Sequence, residues 1–121
     1  GILISDVKDV ARAHVLSIKN SKVNGRRLII GSEVKKMLEL SKIMQEAFPK
    51  YAKKLPNKEM PIFMAKLISY FDSSVRKLLP DLGILMQTDT SYSEDLLGMK
   101  FKPAKDSIID AGNSVIRLGL V

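Results

Sequence analysis

A chain of 121 residues, 45% hydrophobic and 27% charged, has the size and balance of one folded domain, able to bury roughly two thirds of its unfolded surface. With no cysteine and one histidine it excludes a disulfide frame, a thiolate metal site and a cysteine nucleophile, and argues against a zinc centre or a Ser/His triad. The formal charge of +7 comes from lysines and arginines spread over the whole length, which reads as a solvated surface rather than a nucleic-acid interface, although the excess can help an anionic substrate or cofactor approach.

Ile2 to Ile4 is a short apolar run that abuts a helix start and reads as a strand end. Ser5 or Asp6 can cap the helix that follows, because a short side-chain oxygen satisfies one of the first free backbone N–H groups. Asp9 in the first turn suits the helix dipole. Val7, Val10, Ala11, His14 and Ile18 recur at helical spacing and are expected on the buried face, with Lys8, Arg12 and Lys19 toward solvent. Asn24-Gly25 predicts a turn, and Arg26 to Ile30 a short strand halted by Gly31.

Ser32 to Phe48 reads as a second amphipathic helix, with Met37, Leu40, Ile43, Met44 and Phe48 along one side and Pro49 as its stop. Residues 49–60 hold two prolines among four lysines and predict an extended surface connection. Pro61 suits a first helical position, and Phe63, Met64, Leu67, Ile68 and Phe71 form an apolar stripe behind it. That stripe reads as core, though one bordering an apolar ligand would look the same. Asp72-Ser73 can re-cap the helix before Val75 to Leu79, and Pro80 ends it.

Residues 83–90 can hold a short strand. Ser91 and Glu94 have the spacing of a capping box, and Gly98 falls where a left-handed C-cap belongs. After Phe101-Lys102-Pro103 comes a last helix, with Ile108, Ile109, Gly112, Val115 and Ile116 on one face and Gly119 as its stop. Gly112 costs about 1 kcal/mol of helix propensity, so a close helix contact is expected there. The fold class is mostly α with a few short strands. No apolar run nears the length that spans a bilayer, since Lys66 already closes Pro61 to Ala65, and no signal peptide is visible. No membrane partner and a cytoplasmic location are expected. The chain opens on glycine and enters a strand-like run at once, as the middle of a longer polypeptide would.

The chemistry usually sought is missing from the pattern. The seven glycines are too scattered for a dinucleotide-binding loop. Tyr51, Tyr70 and Tyr92 are followed four residues later by Leu55, Ser74 and Leu96, so no Tyr-x-x-x-Lys pair exists. Asp6 and Asp9 read as cap and dipole partner rather than as an acid–base or Mg²⁺ pair. His14, on the apolar face, reads as a hydrogen-bonded core histidine rather than a base. No catalytic, cofactor-binding or metal-ligating residue is assigned.

Three stretches together resemble the C-terminal part of the extended short-chain dehydrogenase/reductase family, also called the NAD-dependent epimerase/dehydratase family. Asp6-Val7-Lys8-Asp9-Val10-Ala11-Arg12-Ala13-His14 is similar to its D-V-x-D-V-A-x-A-H motif. Gly25 to Ile30 is similar to the strand after that helix. Leu96-Leu97-Gly98-Met99-Lys100-Phe101-Lys102-Pro103 is similar to its closing L-G-(aromatic)-x-(P) motif, with Met99 where an aromatic is usual. The middle of the chain, from Leu55 to Gly83, looks most like the dihydroflavonol-reductase or aldehyde-reductase branch.

The resemblance implies the C-terminal portion of a Rossmann-type α/β reductase that lacks most of the nucleotide-binding sheet. All of 1–121 would be one substrate-side domain, with the last Rossmann strand and its preceding helix in 1–31 and a helical substrate lobe in 32–121. The parent would bind NADP or NAD through a missing N-terminal domain that carries the Ser/Thr-Tyr-Lys set, and would reduce a small ketone or aldehyde. The isolated chain would be inactive and bind no cofactor. By the same resemblance Leu3 borders the substrate, and the helix from Pro61 closes over it through Met60 and Phe63. Three other readings stand beside this one: a nucleotide-sugar epimerase or dehydratase C-terminal domain, a small basic helical module for a partner or nucleic acid, and a self-associating homo-oligomer built on uncovered apolar faces.

Overall fold

The computed structural model describes residues 1–58, 63, 68–70 and 87–121. Among these residues the fold is mostly helical, with one two-stranded sheet. Strand β1 (Ile2–Leu3) pairs antiparallel with β2 (Val34–Lys35), Ile2 opposite Lys35 and Leu3 opposite Val34. Two further backbone bonds extend this contact, Ile4 N–H to the Glu33 carbonyl and Ser32 N–H to the Ile4 carbonyl, each 2.9 Å.

Helix α1 (Val7–Lys19) starts where the aspartate predicts. Asp6 is extended, and its carboxylate accepts the Lys8 N–H at 2.8 Å. The helix ends at Asn20, whose side chain donates to the Leu96 carbonyl at 2.7 Å and accepts the Lys22 N–H, fixing a 3₁₀ turn over Ser21–Val23. The face that α1 buries differs from the expected one. Ala13 is packed with Val23, Leu97, Met99 and Phe101, and Leu16 leans on the same cluster. Val7, Ala11, His14 and Ile18 point to solvent. Both faces are apolar enough to be buried, and the one that carries Ala13 is the one that meets Val23, Leu97, Met99 and Phe101. His14 is therefore not a core residue. Its Nδ1 donates to the Val10 carbonyl one turn back, at 2.7 Å.

Residues 26–30 form no strand. Their polar groups go elsewhere: Arg26 N–H closes a turn onto the Val23 carbonyl, Ile29 N–H donates to Ser93 Oγ at 3.0 Å, and the Ile30 carbonyl accepts from Ser5 Oγ at 2.6 Å. A β-prone sequence becomes a strand only when a neighbouring ladder takes its backbone groups. Helix α2 (Met37–Ala47) begins five residues later than the Ser32 start that the apolar spacing predicts, because Val34–Lys35 are held in the sheet. Leu40, Ile43, Met44 and Phe48 are half-buried, while Met37 is exposed. Residues Pro49–Lys54 wind into a 3₁₀ helix rather than an extended connection, with proline at the first position where its missing N–H is harmless. Beyond it the Pro56 carbonyl is gripped by Ser41 Oγ at 2.5 Å and Gln45 Nε2 at 3.1 Å.

Helix α3 (Ser91–Leu97) does not make the Ser91–Glu94 capping box. Asp89 accepts the Ser91 N–H at 2.9 Å, and Glu94 is drawn away to Phe101 N–H and Lys100. Gly98 closes the helix with φ 62°, a left-handed conformation that a side chain would strain. Helix α4 (Ala104–Arg117) is the longest element among the described residues and packs on α2. Gly112 is the reason the two approach so closely, as expected: a Cβ there would stand 2.8 Å from Cζ of Phe48. Of the other expectations, the helix from Pro61 to Pro80 and the strand near 83–90 fall mainly outside the described residues.

Gly112→Ala should therefore destabilise the protein, even though alanine is the better helix former by about 1 kcal/mol. The overpacked ring contact is expected to cost about 1–3 kcal/mol by urea unfolding, and Phe48→Leu in the same chain should return part of it. A gain in stability from Gly112→Ala alone would refute the contact.

Candidate functional site

The entry to α4 is where distant parts of the chain converge. Three nearly consecutive backbone N–H groups are taken by carboxylates from three separate parts of the chain. Phe101 N–H donates to Glu94 Oε1 at 3.0 Å, Lys102 N–H to Asp9 Oδ2 at 2.6 Å, and Ala104 N–H to Glu33 Oε1 at 3.3 Å. The gap at Pro103 is filled by the one residue without an N–H. Asp9 is thus not only a dipole partner; it ties the first turn of α1 to a residue 93 positions on.

Beside this clasp lies a cluster of charge. Asp6 is 8% exposed and lies 3.4 Å from the Lys102 ammonium, which also pairs with Asp110. Lys8 reaches Asp110 at 3.5 Å. The carboxyl of Asp6 is held below its ordinary range by the Lys8 N–H, with Ser107 and Lys102 adding to that against the cost of burial. Lys102 holds Asp110 low in the same way, and the two carboxylates raise the Lys102 ammonium above its usual range, Asp110 foremost. Groups shifted in these directions stay charged near neutrality. They can position a chain or meet a ligand dipole, but none is poised to trade a proton there.

A cleft of about 780 Å³ opens between the residues Leu3–Lys8 and the outer side of α4. Leu3, Val7, Ile108 and Ala111 supply its apolar wall, and Asp110, Ser114 and Arg117 its polar one. Leu3 stands in that wall, half-buried, with its side chain also filling the space beside Gly31, where a Cβ would come within 2.8 Å of it. Phe63 is 70% exposed and is not among the residues lining the cleft. Met60 lies outside the described residues. Pattern reading missed Ser107, Asp110 and Arg117 in the cleft and Lys102 beside it. The groups that tie Lys102 and Asp110 to the start of α1, Asp6 and Lys8, are far away in sequence. Among the described residues no three His, Cys, Asp or Glu side chains gather as a metal site would require, and no helix is long and apolar enough to cross a membrane.

The chain is similar to the NADPH-dependent methylglyoxal reductase GRE2 of Saccharomyces cerevisiae. The two are 27% identical over 117 residues, which take in 93% of this chain and 28% of the yeast protein. The chain thus spans less than a third of the length of that relative. No protein-family profile matches it, and no solved structure does.

The charge cluster predicts how stability follows pH. A carboxyl lowered by folding, as Asp6, Glu33 and Asp110 are, contributes stability that is present above the unfolded carboxyl range and lost as pH falls through the folded value. Tm should hold from neutrality to about pH 5 and fall below about pH 4. Raised Lys102 and Lys35 contribute stability that is full below about pH 10.4 and lost as pH rises past their folded values. Asp6→Asn should lower Tm at pH 7 and make the acid fall shallower, read by circular dichroism melts across pH. An unchanged acid limb would remove Asp6 from this role.

Proposed function

We propose that this chain is the C-terminal, substrate-side portion of an NAD(P)-dependent reductase of the extended short-chain dehydrogenase/reductase type. The observation that carries the proposal is the similarity to a yeast NADPH-dependent reductase, which runs through 93% of the chain while covering 28% of that protein. The uncovered apolar side of α1 supports it, since a helix face rich in Val and Ile is what a domain shows where its neighbour has been taken away.

The residues in hand do not fit the cofactor. A dinucleotide needs glycines close together after a strand so that backbone can approach the pyrophosphate. Among the described residues the three left-handed glycines, Gly25, Gly98 and Gly119, sit instead at three separate turns. No hydride or proton step is therefore assigned to this chain. In the proposed parent the rest of the polypeptide binds NADP or NAD and supplies the tyrosine that protonates the substrate oxygen. This portion contributes the wall beside Leu3, with Met60 and Phe63 as the further substrate-facing positions. The substrate class is a small ketone or aldehyde, in line with the dihydroflavonol- or aldehyde-reductase branch; methylglyoxal, a keto-aldehyde, belongs to the same class.

The reading is tested by titrating NADPH into the 121-residue chain and into the full-length product of its gene, following cofactor fluorescence. The long form should bind and the short one should not. Binding by the short chain would overturn the assignment of the cofactor site to the missing part. A coding sequence without a glycine-rich loop and a Tyr-x-x-x-Lys pair upstream would overturn the parentage.

A further inference from the structure

Helix α1 carries two apolar faces, and among the described residues only one is packed. The outer one is a stripe formed by Val7, Ala11, Val15 and Ile18, with Val7 77%, Val15 53% and Ile18 86% exposed. At 3.6 residues per turn these four fall on one side of the helix and run for about 16 Å along it. Lys8, Lys19 and Arg12 fall side by side along one edge of the stripe and stand exposed. Lys8 reaches Asp110, but Arg12 and Lys19 make no ion pair among the described residues. The acidic residue of the helix, Asp9, is turned the other way, to Lys102 N–H.

Resting on the parentage argued above, we propose that this face is the docking surface for the rest of the parent polypeptide. We further propose that the surface it meets is apolar with carboxylates along one edge. The residue types support the first part. Val and Ile lose side-chain freedom in a helix, a cost that an exposed position returns only if something covers it. The ridge of cations supports the second. A neighbour that buries the stripe brings its own edge beside Lys8, Arg12 and Lys19, and like charge there would oppose the contact. A second copy of the chain is the poorer occupant: an antiparallel two-fold pair of α1 helices sets both cationic ridges on the same side, and a parallel pair brings no carboxylate of α1 to either ridge, since Asp9 is turned to Lys102 N–H.

The test compares one substitution in two settings. Ile18→Ser and Arg12→Glu are each made in the 121-residue chain and in the full-length polypeptide, and Tm is read by circular dichroism. In the short chain both side chains are exposed and unshared, so Tm should move by no more than about 1 °C. In the full-length protein Ile18→Ser should lower Tm by about 3–6 °C as a buried apolar contact is lost. Arg12→Glu should lower it too, with a deficit that shrinks as salt is raised. Equal shifts in the two settings would overturn the proposal. So would dimerisation of the short chain that Ile18→Ser abolishes, which would give the face to a second copy. Arg12-dependent binding of the short chain to phosphatidylserine vesicles would overturn it in favour of a lipid surface. NADPH binding by the unmutated full-length protein is scored separately, so a failed parentage and a failed docking face remain distinct results.

Discussion

Three carboxylates holding three nearly consecutive backbone N–H groups are the constraint on which the rest of the described structure depends. Glu94, Asp9 and Glu33 come from α3, α1 and the residue before β2, and they meet at the entry to α4. Each bond is charge-assisted, and each satisfies a donor in a stretch where Phe101 and Ala104 are buried. A buried N–H left without a partner costs about 1–3 kcal/mol, so removing one carboxylate does more than loosen a loop. It also releases the element that the carboxylate came from. The clasp ties the first turn of α1 to the residues just before α4, and with it the sheet residues that precede α1. That is how a cleft forms between Leu3 and α4 with only a two-stranded sheet among the described residues.

This arrangement explains what pattern reading reached and where it stopped. Local rules place α1, α3 and α4 well, because Asp6, Gly98, Pro103 and Gly119 act on their immediate neighbours. Gly112 was legible for the same reason: a glycine in a helix costs something, and a close contact returns it. Glu94 shows the limit. Its spacing from Ser91 is that of a capping box, but Phe101 N–H and Lys100 outbid the Ser91 backbone, and nothing local announces them. Arg26 to Ile30 shows another. β-propensity marks a segment that can pair, whereas pairing needs a partner, and here Ser5 and Ser93 take those backbone groups instead.

The candidate site was less legible than the fold for a related reason. Leu3 was placed from a resemblance, and the structure sets it in the wall of a cleft without bringing Phe63 to the same wall. Asp6, Lys102 and Asp110 form a chain of charge from residues at both ends of the sequence, and no spacing rule joins positions that far apart. Electrostatics then narrows what the cluster can do. With Asp6 and Asp110 lowered and Lys102 raised, each group prefers its partner to a proton exchange. The geometry is that of a charged scaffold that fixes a surface and is not poised for proton transfer near neutrality.

The misread face of α1 carries the most information about that division of labour. A helical stripe of Val and Ile is ordinarily evidence of a core, and counted along the sequence it outweighs the stripe of Ala13, Leu16 and Ser17 that the chain in fact buries. The two stripes answer to different neighbours. The small-residue one accepts the close approach of Leu97, Met99 and Phe101, where shape decides. The Val and Ile one offers bulk apolar area bounded by cations, where area and charge decide. If the proposed docking holds, α1 packs by fit on one side and by area on the other and stands between two bodies. Its sequence would then record both, which is why its hydrophobic pattern matches the described fold less well than local rules do elsewhere.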